Sequence, residues 1–331
     1  MQLNDIRDAA KLLEGVILRT PLEPSWALSE QAGGSTHLKC ENLQRTGAFK
    51  IRGAYNFISR LPDDQKREGV VAASAGNHGQ GVALAASLLG VKATVFMPIG
   101  ASLPKIEAAT HYGADVILEG SVWDDSQAAA VEFSKEKGAV LVHPFDHPDV
   151  IAGQGTVGLE VIDQLPNVST IVVPVGGGGL VSGIAAAAKG LSSEIRVIGV
   201  EPEGAATVAN SLEFGRLVTL DRLSTVADGL AAKRSGPIAF AHVQQLVDEV
   251  VLVSDDEIAQ ALLLIAERAK LVVEPGGAAA VAALMTRKAK IEFPAVAILS
   301  GGNVDPMLLM QVVRFGMSSA GRYFSFRTRL T

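Results

Sequence analysis

Residues 169–180 read STIVVPVGGGGL, and the order of residue types in that stretch decides the fold class. A continuous Ile/Val run is a strand covered on both faces. Four successive glycines, Gly176, Gly177, Gly178 and Gly179, then break it, and residues 180–189 return to helical periodicity. Residues 171–188 are the most apolar part of the chain, yet Pro174, the glycines and Ser182 make them strand, turn and helix rather than a membrane span.

The same cycle repeats on both sides. Upstream, GVVAAS leads to a helix over 79–89, ATVFMP to one over 103–111, ADVILE to one over 122–137, and AVLVHP closes the series. Downstream come IRVIGVEP, then PAVAILS with a helix from residue 304. Buried strands alternating with helices build right-handed crossovers and parallel sheets. Ligands in such sheets sit beyond the carboxyl ends of strands, beside helix N-termini. Residues 201–248 break the rhythm and read as helical but irregular; the tail RYFSFRTRLT alternates like a strand.

The chain has 331 residues, enough for two lobes. It is 48% hydrophobic and 19% charged, with a net charge of −6 and no block of Lys and Arg, which argues against nucleic acid as a partner. MQLNDIRDAA is no signal peptide, and the lone Cys40 permits no disulfide framework within the chain, so a cytoplasmic setting is expected. Cys40 alternates with Leu38 and reads as a buried structural thiol.

Four segments carry the candidate chemistry. In ENLQRTGAFKIRGA (41–54), Lys50 lies between Phe49 and Ile51. A desolvated lysine becomes an amine nucleophile for a carbonyl. On this segment alone, a lysine that snorkels to the surface is the favoured reading. In SAGNHGQG (74–81), small residues after a strand free backbone N–H groups for an anion, and Asn77 adds an amide donor. An ordinary turn with a helix cap, and a structural His78, are the alternatives. The run 176–179 suits a phosphate at a helix N-terminus, although it is neither a P-loop nor the spaced dinucleotide motif. SGGN (300–303) again sets a hydroxyl and glycines at a strand end, with a plain turn as the alternative.

These segments, with HPFDHPDVIAGQGT, ADGLA and LVVEPGG, resemble the serine/threonine dehydratases of the fold-type-II pyridoxal-phosphate enzymes, a group that includes serine racemases. The resemblance implies an α/β fold like that of the tryptophan synthase β chain, with two open, twisted, mostly parallel sheets flanked by helices. It implies a discontinuous large domain, 1–47 and 143–331, a small domain, 48–142, and in 321–331 the first strand of an absent regulatory domain. Pyridoxal 5′-phosphate would be held by Phe49, Lys50, Asn77, the glycines 176–179, Leu180, Glu274 and Ser300. Lys50 would carry it covalently, and Lys50 and Ser74 would be the catalytic pair. Ser74, Gly76, Asn77 and His78 would hold the substrate carboxylate. The implied reaction is β-elimination of water, taking L-threonine to 2-oxobutyrate and L-serine to pyruvate, each with ammonia. Serine racemase and 3-hydroxyaspartate dehydratase are the alternatives. Racemases of the family carry Ser where this chain has Ala75, and Phe145 is dehydratase-like, so little racemisation is expected. A divalent cation (Mg²⁺ or Ca²⁺) or a monovalent one would use Glu201 and the Ala205 carbonyl. Thr207 stands where the family commonly has Asp, so such binding should be weak or absent. The expected partners are small hydroxy-amino acids and copies of the chain in a homodimer or homotetramer, not nucleic acid or membrane.

Overall fold

The computed structural model describes residues 1–326 and contains two sheets. The larger is built from β1 (Leu22–Pro24), β2 (Thr36–Lys39), β7 (Thr170–Pro174), β8 (Arg196–Pro202), β9 (Glu249–Val253) and β10 (Ala295–Ile298), in the order β1-β2-β10-β7-β8-β9. Only β1 runs antiparallel to its neighbour. The smaller holds β3 (Val70–Ala73), β4 (Ala93–Met97), β5 (Asp115–Leu118) and β6 (Val140–Leu141), all parallel, in the order β5-β4-β3-β6.

Alternation along each strand explains why helices cover both faces, since successive side chains point to opposite sides. In β7, Ile171 and Val173 pack with Val161 of α8 (Pro148–Gln164) and Ile184 of α9 (Gly179–Leu191). Val172 points the other way, among Leu262 of α12 (Asp255–Leu264) and the alanines of α13 (Pro275–Met285). The smaller sheet repeats the pattern. Val70 and Val95 face Ile51 of α3 (Lys50–Arg60) and Val82 of α5 (Asn77–Leu88), while Val71 and Phe96 face Ala130 of α7 (Trp123–Lys137). We propose that the chain divides along these sheets, with 48–142 around the smaller one.

The remaining helices are α1 (Leu3–Leu13), α2 (Trp26–Ala32), α4 (Asp63–Glu68), α6 (Leu103–His111), α10 (Thr207–Glu213), α11 (Pro237–Leu246) and α14 (Pro306–Ser319). Several details differ from the sequence-based expectations. The helix expected from residue 79 begins at Asn77, because Gly76 already serves as its cap. The AVLVHP strand shrinks to Val140–Leu141 at the edge of its sheet. The irregular region holds only α10, α11 and short 3-10 turns within 201–246, and then delivers β9. Residues 323–326 form no strand, and residues 327–331, the rest of the expected tail strand, lie outside the described residues. No described helix is long and apolar enough to cross a membrane.

Candidate active site

The carboxyl ends of β3, β7 and β10 open onto one cavity of about 880 Å³, and every residue put forward above for the cofactor or the substrate borders it. Each strand end contributes a different chemical group, and the cavity is where those groups meet.

The amine comes from α3. Its first residue, Lys50, points its side chain into the cavity, and Nζ donates to the Pro144 carbonyl at 2.8 Å. Burial pulls the amine pKa down to about 8, with Glu274 opposing the shift. Nζ also lies 5.2 Å from the Phe49 ring centroid. The snorkelling alternative fails because Nζ ends on the Pro144 carbonyl inside the cavity rather than reaching out into bulk water.

The anion end comes from β7 and α9. Gly178 has φ +97°, the left-handed region that favours glycine. A Cβ at Gly177 would sit 2.3 Å from the Phe145 ring, so only bare backbone fits between that ring and the cavity. Ser235 Oγ braces the loop by donating to the Gly177 carbonyl at 3.0 Å. The first-turn amides of α9 have no carbonyl partner within the helix and face an incoming anion. Leu180 is buried behind them and lines the same wall.

The middle is polar. Ser300 is 4% exposed on the lining, and its carbonyl accepts from the Phe49 N–H at 3.2 Å. Asn77 Nδ2 donates to Glu274 Oε1 at 2.7 Å, and Asn303 Nδ2 donates to Asn77 Oδ1 at 2.8 Å. Burial pushes the Glu274 carboxyl up to about 7, and the nearby Asp228 adds to the shift. On the opposite side, Ser74 Oγ accepts from the Gly76 N–H at 3.1 Å. The N-terminus of α5 there offers the amides of Asn77, His78 and Gly79. The His78 ring is turned away, with Nε2 against the Val142 carbonyl at 2.8 Å. Burial holds its pKa at about 3, so the ring is neutral and only its backbone faces an anion. Ala75 borders the same cavity with a methyl group.

The proposed cation ligands do not converge in the same way. Glu201 is 1% exposed and spends both oxygens on α10, accepting from Val208 N and Ala209 N at 2.8 Å each. The Thr207 hydroxyl donates to the Ala232 carbonyl. Among the described residues no group of three or more His, Cys, Asp and Glu stands together as a metal site. Cys40 is fully buried and its thiol is pushed up to about 12, chiefly by burial, as a packed and inert sulfur should be.

Sequence reasoning missed the Pro144 carbonyl that receives Lys50, because a backbone acceptor leaves no residue-type signal. It also missed the bridge made by Asn303, although SGGN itself stood out.

The donor set fits pyridoxal phosphate: an amine for its aldehyde at one end, side-chain-free backbone at a helix N-terminus for its phosphate at the other, and Ser300 and Asn77 between them. Comparison with known proteins agrees. Residues 13–301 match the family model described as pyridoxal-phosphate dependent enzyme. The chain is 48% identical to the L-threonine ammonia-lyase of Thermotoga maritima, over 97% of this chain and 80% of that protein. It is 43% identical to the catabolic L-threonine dehydratase TdcB of Escherichia coli strain K12, over 95% and 96%. Among solved structures, maize serine racemase superposes with a TM-score of 0.90 at 38% identity, over 97% and 99%.

Proposed function

The chain belongs to the family of pyridoxal-phosphate dependent enzymes, and from that premise we infer that it is a threonine/serine ammonia-lyase, removing water and then ammonia from L-threonine and L-serine. The observation that carries the reading is Lys50 Nζ, held 2.8 Å from Pro144 O in the cavity that the glycine loop closes.

Bound in that cavity, pyridoxal phosphate supplies electron withdrawal from the substrate Cα, which acidifies the Cα proton and lets the β-hydroxyl depart as water. The protein's part is placement and proton handling. Lys50, with a pKa near 8, is neutral often enough to accept the Cα proton near neutral pH. The amides at the start of α5 and the Ser74 hydroxyl hold the substrate carboxylate, and an anion there gains from the helix dipole. Phe49 would pack against the ring, Asn77 would donate to its phenolic oxygen, and Ser300 would meet its nitrogen. A neutral hydroxyl at that nitrogen would not keep the ring protonated as a carboxylate does. That would favour prompt loss of a β-leaving group.

Elimination is favoured over racemisation by Ala75, because a methyl group on the cavity wall cannot deliver a proton. Any cation bound near Glu201 is weakly held, since α10 already uses both carboxylate oxygens. Assembly into a homodimer or homotetramer is supported by exposed apolar residues such as Trp26, 80% exposed. A cytoplasmic location is supported by the reduced, buried Cys40. The test is keto-acid production from L-threonine, L-serine and 3-hydroxyaspartate by the cofactor-loaded protein, with chiral analysis of residual serine. Turnover of 3-hydroxyaspartate alone, or D-serine formed as fast as pyruvate, would replace this reading with one of its alternatives.

A further inference from the structure

Outside the cavity two cations and two carboxylates meet, with Arg52, Lys39 and Glu41 fully buried and Glu160 partly so, and nothing in the reaction uses their charge. Arg52, fully buried, sits two residues beyond Lys50 on α3. Its Nε and Nη2 donate to the two oxygens of Glu41 at 2.8 and 2.7 Å. Its Nη1 donates to Glu160 Oε1 at 2.6 Å and to Thr156 Oγ1 at 3.1 Å. Lys39, the last residue of β2, donates to Glu160 Oε2 at 2.6 Å and to the Thr20 carbonyl at 2.9 Å. The Thr20 hydroxyl closes the ring by donating to Glu41 Oε1 at 2.6 Å.

Taking such charges out of water is expensive, and apolar side chains of similar volume would often be as stable. Stability is therefore a poor reason for this arrangement. Bidentate, directional contacts supply something apolar packing lacks, a fixed register between the elements that carry them. Here the elements are those that must meet one cofactor. Arg52 belongs to the helix that begins with Lys50. Lys39 ends β2, which is paired with β10, the strand leading to Ser300. Thr156 and Glu160 belong to α8, which touches both remaining partners. A Cβ at Gly153 would lie 2.5 Å from the Arg52 carbonyl, and one at Gly155 would lie 2.8 Å from the Gly183 carbonyl of α9. The glycine loop opens α9.

We propose that Arg52 and Glu160 are positioning residues that set the depth and direction of the Lys50 amine relative to the glycine loop and Ser300. The proposal rests on the cofactor reading above. Glu160→Gln in the cofactor-loaded protein removes one charge and one acceptor while keeping the shape. Its kcat should fall about tenfold or more while KM stays within about threefold, because misplacing a reacting group by a fraction of an ångström is that costly. The visible band of the bound cofactor should also shift, and Glu160→Asp should recover part of kcat. Leu28→Ala, a buried position on α2 among Ala32 and Leu38, is the stability control: its Tm falls and its kcat does not. A Glu160→Gln protein that lost Tm like Leu28→Ala but kept both kcat and the band would overturn the proposal. If Glu160→Gln does not fold, Thr156→Val withdraws one hydrogen bond and no charge. The same pattern in smaller measure supports the proposal, and an unchanged kcat and band overturns it. A wild-type protein that bound no pyridoxal phosphate would overturn the functional reading first, and this proposal with it.

Discussion

At the scale of single residues, the Lys50 amine is both the nucleophile that captures the cofactor and a group whose charge depends on its burial. With its pKa lowered to about 8, the neutral form grows as pH rises through that value. Uptake of pyridoxal phosphate by the cofactor-free protein, followed by its visible band, should accelerate from about pH 6.5 to about pH 9 and then level off. A midpoint near 10.5, the ordinary lysine value, would mean the amine is solvated. The same shift bears on stability. The unfolded chain holds the Lys50 proton up to about pH 10.5 and the folded one only to about 8, so this group's contribution rises with pH across that window. Lys50→Ala should abolish the band and keto-acid production together. Gly177→Ala should leave the lysine in place but force a methyl group into Phe145. Cofactor affinity should then fall about tenfold or more, read by titrating the band; unchanged affinity would mean the loop yields without cost.

At the scale of elements, α10 is held by one carboxylate, and that contact can be weighed. Glu201 is buried, and its pKa is pushed up to about 7 by burial, with the amides of Val208 and Ala209 pulling back. Removing it with Glu201→Ala leaves two buried amides unpaired, and denaturant unfolding should show a loss of about 1–3 kcal/mol. The pH dependence has a definite sign. The folded chain keeps this proton to about pH 7 and the unfolded chain only to about 4.5, so the contribution of Glu201 is lost as pH rises between those values. Wild type measured against Glu201→Gln should therefore lose ground from about pH 4.5 to about pH 7. A flat difference would place the carboxyl in solvent. Glu201 also shows what sequence can and cannot convey about elements. From sequence Glu201 reads as a candidate cation ligand, and the α10 amides it accepts from, seven and eight residues on, leave no residue-type signal. TIVVP and AVAI were legible as strands because runs buried on both faces have no polar interruptions. EVVLV escaped notice because it begins with Glu249 and follows an irregular stretch. Lys50 and the glycine loop stood out because a lysine among apolar residues and four glycines in a row each break a local rule. The contact between Arg52 and Glu160 joins residues 108 positions apart, and no local pattern encodes such a pairing.

At the scale of the whole molecule, the cavity lies between two sheets, and ion pairs cross its mouth. Lys105 on α6 reaches Asp228 at 3.3 Å, and Lys233 reaches Asp124 on α7 at 2.5 Å. Lys105 and Asp124 belong with the smaller sheet, Asp228 and Lys233 with the larger, and all four border the cavity. Exposed pairs of this kind contribute little to stability, yet a small bias is enough to shift how often a cleft stands open. The net charge of −6 steers a zwitterionic amino acid only feebly, so salt should act mainly through these contacts. Raising ionic strength from about 0.1 M to about 1 M cuts the screening length from about 10 Å to about 3 Å. KM for L-threonine should then rise about two- to threefold with kcat nearly constant, because the pairs hold the mouth and touch none of the reacting atoms. In the double variant Asp124→Asn/Asp228→Asn that sensitivity should vanish, with KM already raised at low salt. If KM in the double variant followed salt as steeply as in the wild type, the two sheets would not be held together through these side chains.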